Sequence, residues 1–301
     1  MKLPVHSFLA LVLLAGSTAS LAGTPINESR DLEPTARVEI SNVRGSITVS
    51  VWDEPRVQVS GTLGSGSKGL SITGSASDLD IKVEGTESGW FNWGTSSRME
   101  DSILDVRIPR KVELTVESVS ADITVTGISG RLLDASSVSG KIRLDSSAQE
   151  LEVGSISGTI EISGSGDRAH VDTVSGDIDL RSNHQEMKLE TVSGNILAVT
   201  RSYREFSGSS VSGDIALRGS PGAGARMDAE TMSGDVSVSL PRDASARIDA
   251  ETFSGGLRSD FGAVDEPEHG PGRSLDTTIG SGDARFTIET FSGDIDIRSE
   301  R

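Results

Sequence analysis

Short runs of alternating apolar and polar residues recur along most of this chain, and each run passes through the same five-residue phrase. It reads VSADI at 119, VSGKI at 138, ISGTI at 156, VSGDI at 174, VSGNI at 192, VSGDI at 211, MSGDV at 232, FSGGL at 253 and FSGDI at 291. Counted from the phrase's glycine, apolar residues lie two before it and two and four after it. The first column holds Val119, Val138, Ile156, Val174, Val192, Val211, Met232, Phe253 and Phe291. The second holds Ile123, Ile142, Ile160, Ile178, Ile196, Ile215, Val236, Leu257 and Ile295. A period of two predicts a strand with one buried face, and the β-branched content agrees. The spacing therefore predicts that both columns point inward, together with the glycines Gly140, Gly158, Gly176, Gly194, Gly213, Gly234, Gly255 and Gly293.

A second apolar pair lies seven and five before the glycine, as in Leu151 and Val153, Met187 and Leu189, or Phe286 and Ile288. The step from five before to two before is odd, so a corner is expected there. An inward glycine marks a bend or a close backbone approach. The Thr column three before the glycine (Thr173, Thr191, Thr231, Thr252, Thr290) is expected on an exposed strand.

Two strands per repeat of about 18–21 residues predict an all-β fold, a single-chain parallel β-solenoid. About ten coils at about 4.8 Å each make a rod about 50 Å long. No coil this small buries enough apolar surface alone, so stability must come from stacking. An N-terminal coil is expected from Val38 and Ile40 to Ile47 and Val49, with further strands at VQVSG (57), LSI (70) and LDIKV (79). Residues 23–35 are expected to be flexible and 36–301 to form the solenoid. Insertions are expected near 87–98 and 258–282, the second carrying DEPEHGPG at 265.

Residues 1–22 have a cationic start at Lys2, an apolar run from Phe8 to Ala15, and Ser20 and Ala22 just before Gly23. This is the layout of a secretory signal cleaved after Ala22, and it predicts a periplasmic or secreted protein without an integral membrane anchor. The net charge is −17 and becomes one unit more negative when Lys2 is lost, which disfavours nucleic acid as a partner. There is no cysteine, hence no disulfide and no thiol chemistry.

Candidate chemistry is thin. The Ser beside each glycine is a repeated position rather than one nucleophile with a dedicated base. Asp122, Asp177, Asn195, Asp214, Asp235 and Asp294 form an outward column that suggests calcium bridging or, more simply, acceptors for backbone N–H groups near a bend. No cofactor or metal is expected. Trp90, Phe91 and Trp93 cluster in a loop-like stretch and are the candidate binding residues. Glu230 and Glu251 belong to an acidic column four before the glycine and are candidates for acid/base work.

The secretory signal, the segment LDVRIPRKVELTVESVSADITV at 104 and the serial (V/I)SG(D/N/K)I repeats together resemble the bacterial family DUF4097, also called "putative adhesin". That resemblance implies a β-strand-repeat envelope protein and supplies no catalytic residues. The expected function is thus a non-enzymatic, adhesin-like scaffold binding a cell-envelope protein or glycan. A carbohydrate-active lyase or hydrolase is the alternative. A self-associating rod is the third, since a final coil at Phe291–Ile297 would leave an open edge for end-to-end stacking.

Overall fold

The computed structural model describes residues 23–85, 99–266 and 271–300, and among them every regular element is a strand. Among these residues no helix is long and apolar enough to cross a membrane. The N-terminal end comprises β1 (Thr24–Asp31), β2 (Arg37–Trp52), β3 (Arg56–Leu63), β4 (Ser67–Gly74), β5 (Asp78–Gly85) and β6 (Ser102–Pro109). The middle comprises β7 (Glu113–Thr126), β8 (Leu132–Ser137), β9 (Ile142–Ser146), β10 (Glu150–Ser155), β11 (Ile160–Thr173), β12 (Ile178–Thr191), β13 (Ile196–Ser210) and β14 (Ile215–Thr231). The C-terminal end comprises β15 (Val236–Leu240), β16 (Ala246–Thr252), β17 (Leu257–Ser259), β18 (Arg273–Ile279), β19 (Ala284–Thr290) and β20 (Ile295–Ser299).

Successive coils pair in parallel and in register, so that Ile160, Ile178, Ile196, Ile215 and Val236 stack as one buried column. The apolar residues seven and five before each glycine join them in a single core that runs the length of the stack. The solenoid expected from the two-residue period is the fold.

The corner differs from the expected one. The residue three before the glycine, Ser137, Ser155, Thr173, Thr191, Ser210, Thr231, Thr252 or Thr290, is buried. Inward parity thus continues through that position and flips only between it and the glycine. From Ser137 to Ser210 the Ser/Thr oxygen accepts the glycine N–H, at 2.8 Å for Ser137 and Gly140 and 3.0 Å for Thr191 and Gly194, closing a tight side-chain turn, whereas Thr231, Thr252 and Thr290 donate their hydroxyls to the glycine carbonyl of the neighbouring coil. The two residues between them face solvent. The Thr column is therefore interior, and the apolar column two before the glycine is exterior, with Val119 at 47% exposure and Phe291 at 57%.

Close approach explains the glycine. A Cβ at Gly194 would stand 1.9 Å from the Gly176 carbonyl oxygen, and at Gly213 1.7 Å from that of Gly194. Neither has a positive φ, so room rather than backbone conformation sets the residue.

At both ends the stacking order departs from chain order. β5 and β6 pair with the outer side of β2, whose other side pairs with β7. At the opposite end β19 and β20 are inserted between β14/β15 and β16/β17. The coil last in sequence is consequently internal, and the expected open edge at Phe291–Ile297 does not exist. The outermost strand β16 is covered by antiparallel β18. At the N-terminal end β4 covers β5 and β3 covers β6, again antiparallel. Residues 23–35 contribute β1, which pairs antiparallel with β3 along its whole length, so this segment is part of the sheet rather than a flexible lead. The expected signal, residues 1–22, lies outside the described residues.

Candidate binding groove

Most polar residues of the repeated phrase have a task inside the solenoid. Besides the Ser/Thr that closes the corner, the Ser before the glycine donates its hydroxyl to the corner carbonyl of the preceding coil, as from Ser157 to Val138 (3.2 Å) and Ser175 to Ile156 (3.2 Å). The Asp or Asn after the glycine accepts the backbone N–H of its counterpart in the next coil, as in Asn195 to Asp177 (2.8 Å), Asp235 to Asp214 (2.9 Å) and Asp294 to Asp235 (2.8 Å). The acidic column beside the glycine is thus a hydrogen-bond ladder. Among the described residues no group of three or more His, Asp or Glu is placed to hold a metal ion.

The apolar corner residue is the remaining member, and it faces water. In stacking order the row runs Val43, Val119, Val138, Ile156, Val174, Val192, Val211, Met232, Phe291, Phe253, each between 37% and 60% exposed. The side chains enlarge toward one end, where Phe253 and Phe291 stack with ring centroids 4.8 Å apart and planes 10° from parallel. A contiguous apolar strip of this kind on a charged surface is a feature of binding sites.

That end lies in a groove of ≈ 1110 Å³. Its floor carries Val211, Met232, Phe291 and Phe253 together with Glu230, Glu289 and Glu251. Asp265, Glu266 and Pro271–Ser274, the approach to β18, form one wall. The wall is held by an Asp265–Ser274 bridge and by Arg273, which donates to Glu266 (2.6 Å) and to the Gly255 carbonyl. The register puts Glu289 between Glu230 and Glu251, so three carboxylates occupy adjacent coils about 4.8 Å apart. Among the described residues none of the three has a hydrogen-bond or ion-pair partner.

The structure thus brings Glu230 and Glu251 into one groove but leaves them two coils apart. Trp90, Phe91 and Trp93 lie outside the described residues. Three features of the groove escape a sequence reading. Glu289 belongs to the acidic column in the sequence but its place between Glu230 and Glu251 follows only from the inserted coil, the β18 wall has no repeat signature, and the exposed Met232, Phe291 and Phe253 fall in a column whose period suggests burial. A signal for the last was present, because Ser or Thr three before a glycine is a side-chain turn pattern that places the two residues between them on the outside.

No curated protein matches the chain. Among solved structures it is similar to a "putative cell adhesion protein" from Clostridium sporogenes, 13% identical, covering 92% of this chain and 100% of that one with a TM-score of 0.26. A "putative adhesin" from Bacteroides fragilis is 10% identical, covering 92% and 99% with a TM-score of 0.46. Another from Parabacteroides merdae is 10% identical, covering 93% and 97% with a TM-score of 0.45. The model of the Toastrack DUF4097 family matches residues 35–298, from the entry into the stack to its last inserted coil, and the chain belongs to that family.

Proposed function

We propose that this protein is a non-enzymatic, adhesin-like scaffold of the cell envelope, periplasmic or secreted, that docks a macromolecular partner, protein or glycan, along its outward apolar row. The observation that carries this reading is the division of labour within the repeat. Most polar members of the phrase bond within the stack of coils, while the apolar corner residue is left in water and grows to Met and Phe where a groove encloses it. Burying Met232, Phe291 and Phe253 against a partner is worth roughly 1.5–3 kcal/mol per side chain at full burial, enough for three residues to dominate an interface. From Ser120 to Ser212 the serine hydroxyls of the phrase, the residue type most often recruited as a nucleophile, are engaged with carbonyls of the preceding coil.

Co-sedimentation of the mature protein with isolated envelope polymers, with released sugar ends assayed in the same tubes, tests this. Retention without release is expected, and retention should be lost in M232S/F253S/F291S. Release of sugar ends that disappears in E230Q/E251Q would replace the scaffold reading with that of a carbohydrate-active enzyme.

A further inference from the structure

We infer that the groove at the Phe253–Phe291 end receives a basic polypeptide segment of a partner protein, one that carries apolar side chains beside its cations. The inference rests on the reading of the apolar row as the docking surface and specifies what docks there. Its first ground is charge. Among the described residues the floor and wall present Glu230, Glu289, Glu251, Asp265 and Glu266 against one lining cation, Arg273, which already bonds Glu266 and the Gly255 carbonyl.

The second ground is contrast within the same molecule. One ladder of the middle coils alternates sign, Glu113–Arg131–Glu150–Arg168, with contacts of 2.7, 3.3 and 2.5 Å, and at Asp134–Glu152 and Asp172–Glu190 like charges meet in pairs. Like charges directly opposite on neighbouring strands destabilise a sheet, yet the groove stacks three glutamates in a row that, among the described residues, have no counter-ion. A cationic occupant removes that repulsion, and the Met and Phe side chains alongside supply the apolar contact.

The third ground is extent. From Val211 to Phe253 the floor spans three inter-coil steps, about 14 Å, or about four residues of extended chain. The apolar row continues beyond Val211 to Val192 and Val174, so a longer chain keeps contact outside the groove.

Fluorescence anisotropy of the mature protein with labelled nine-residue peptides tests the inference. One peptide alternates Lys with Leu, one Glu with Leu, and one Lys with Ser. The Lys/Leu peptide should bind, and each of the other two at least tenfold more weakly. E230Q/E251Q/E289Q should weaken the Lys/Leu peptide at least tenfold and flatten its salt dependence. F253S/F291S should weaken it at least tenfold with the salt dependence kept. Carbodiimide coupling of the Lys/Leu peptide to the unaltered protein, mapped by mass spectrometry, needs no variant to fold and should mark Glu230, Glu251 or Glu289. Equal binding of the Lys/Leu and Glu/Leu peptides, or coupling scattered over the acidic surface, would overturn the inference. If no peptide binds while F253S/F291S still abolishes retention on envelope polymers, the basic-peptide inference falls and the docking row stands. If neither readout depends on the two phenylalanines, both fall.

Discussion

From Gly140 onward the corner glycine is a packing requirement repeated from coil to coil, whereas in the β7 coil Ala121 holds the same position. A methyl at Gly194 would meet the Gly176 carbonyl oxygen at 1.9 Å, and backbone held in ladders on both sides cannot move aside cheaply. Gly194→Ala should therefore cost about 3 kcal/mol, at the upper end for overpacking, read as a fall in urea midpoint with unchanged m-value. A second residue ties stability to pH. His184 is buried, shares a 2.8 Å hydrogen bond through Nδ1 with Ser182, and is pushed by burial from 6.5 to about 4, with the Asp167 carboxylate pulling weakly the other way. The unfolded chain then takes up a proton that the folded chain refuses between those two values. The stabilisation is complete above about pH 6.5 and is lost as pH falls toward about 4. From pH 7 to pH 4.5 this one group should remove roughly 2.5 kcal/mol. Urea unfolding at the two pH values, compared between the wild type and His184→Asn, isolates that share. An equal pH response in both proteins would assign the acid sensitivity to carboxylates instead.

Among the elements, the strands β14, β19 and β16 set three glutamates in a row across their pairing. Glu289 has a like charge on each side at sheet spacing. Glu289→Gln should raise stability by about 0.2–1 kcal/mol, more in low salt, and the gain should vanish near 1 M salt, where the screening length is about 3 Å. A neutral or unfavourable effect at low salt would mean that the three carboxylates already diverge into solvent. The strands themselves were legible in the chain, because period-two alternation and β-branched columns admit few other structures, and the inward Ile column from Ile142 to Ile215 is where the pattern puts it. The corner was misread by a single step. Apolar character at Val138 or Val192 argues for burial, whereas the side-chain turn at Ser137 or Thr191 dictates exposure, and hydrophobicity alone cannot separate a core residue from one held out for a partner. That misreading hid the groove, since its floor is built from the same column.

For the molecule as a whole, the order of coils was hidden by the repeat itself. Any coil presents nearly the same rows as any other, so the pattern does not say that β19 and β20 are inserted between β14/β15 and β16/β17, and this insertion is what sets Phe291 beside both Met232 and Phe253. The chain has no cysteine, so introduced pairs report the order cleanly. Asp228 is registered with Thr287, and Thr287 with Asp249, in adjacent parallel strands. Neighbours lie about 4.8 Å apart, within disulfide reach, whereas Asp228 and Asp249 are two steps, about 10 Å, apart and beyond it. D228C/T287C should therefore oxidise to a cross-linked product and D228C/D249C should not; the reverse result would restore stacking in chain order. Ending the chain after Asp283 removes the inserted coil, and because Arg226–Thr231 and Arg247–Thr252 carry matching inward residues, β16 should then close directly onto β14. In that truncated chain D228C/D249C becomes the pair that cross-links, and binding that depends on the Phe253–Phe291 stack should be lost although the solenoid remains folded. Failure of D228C/D249C to cross-link after truncation, with cleavage spreading through residues 241–283 under limited proteolysis, would show that the last coil is required for the stability of that end and does more than set its order.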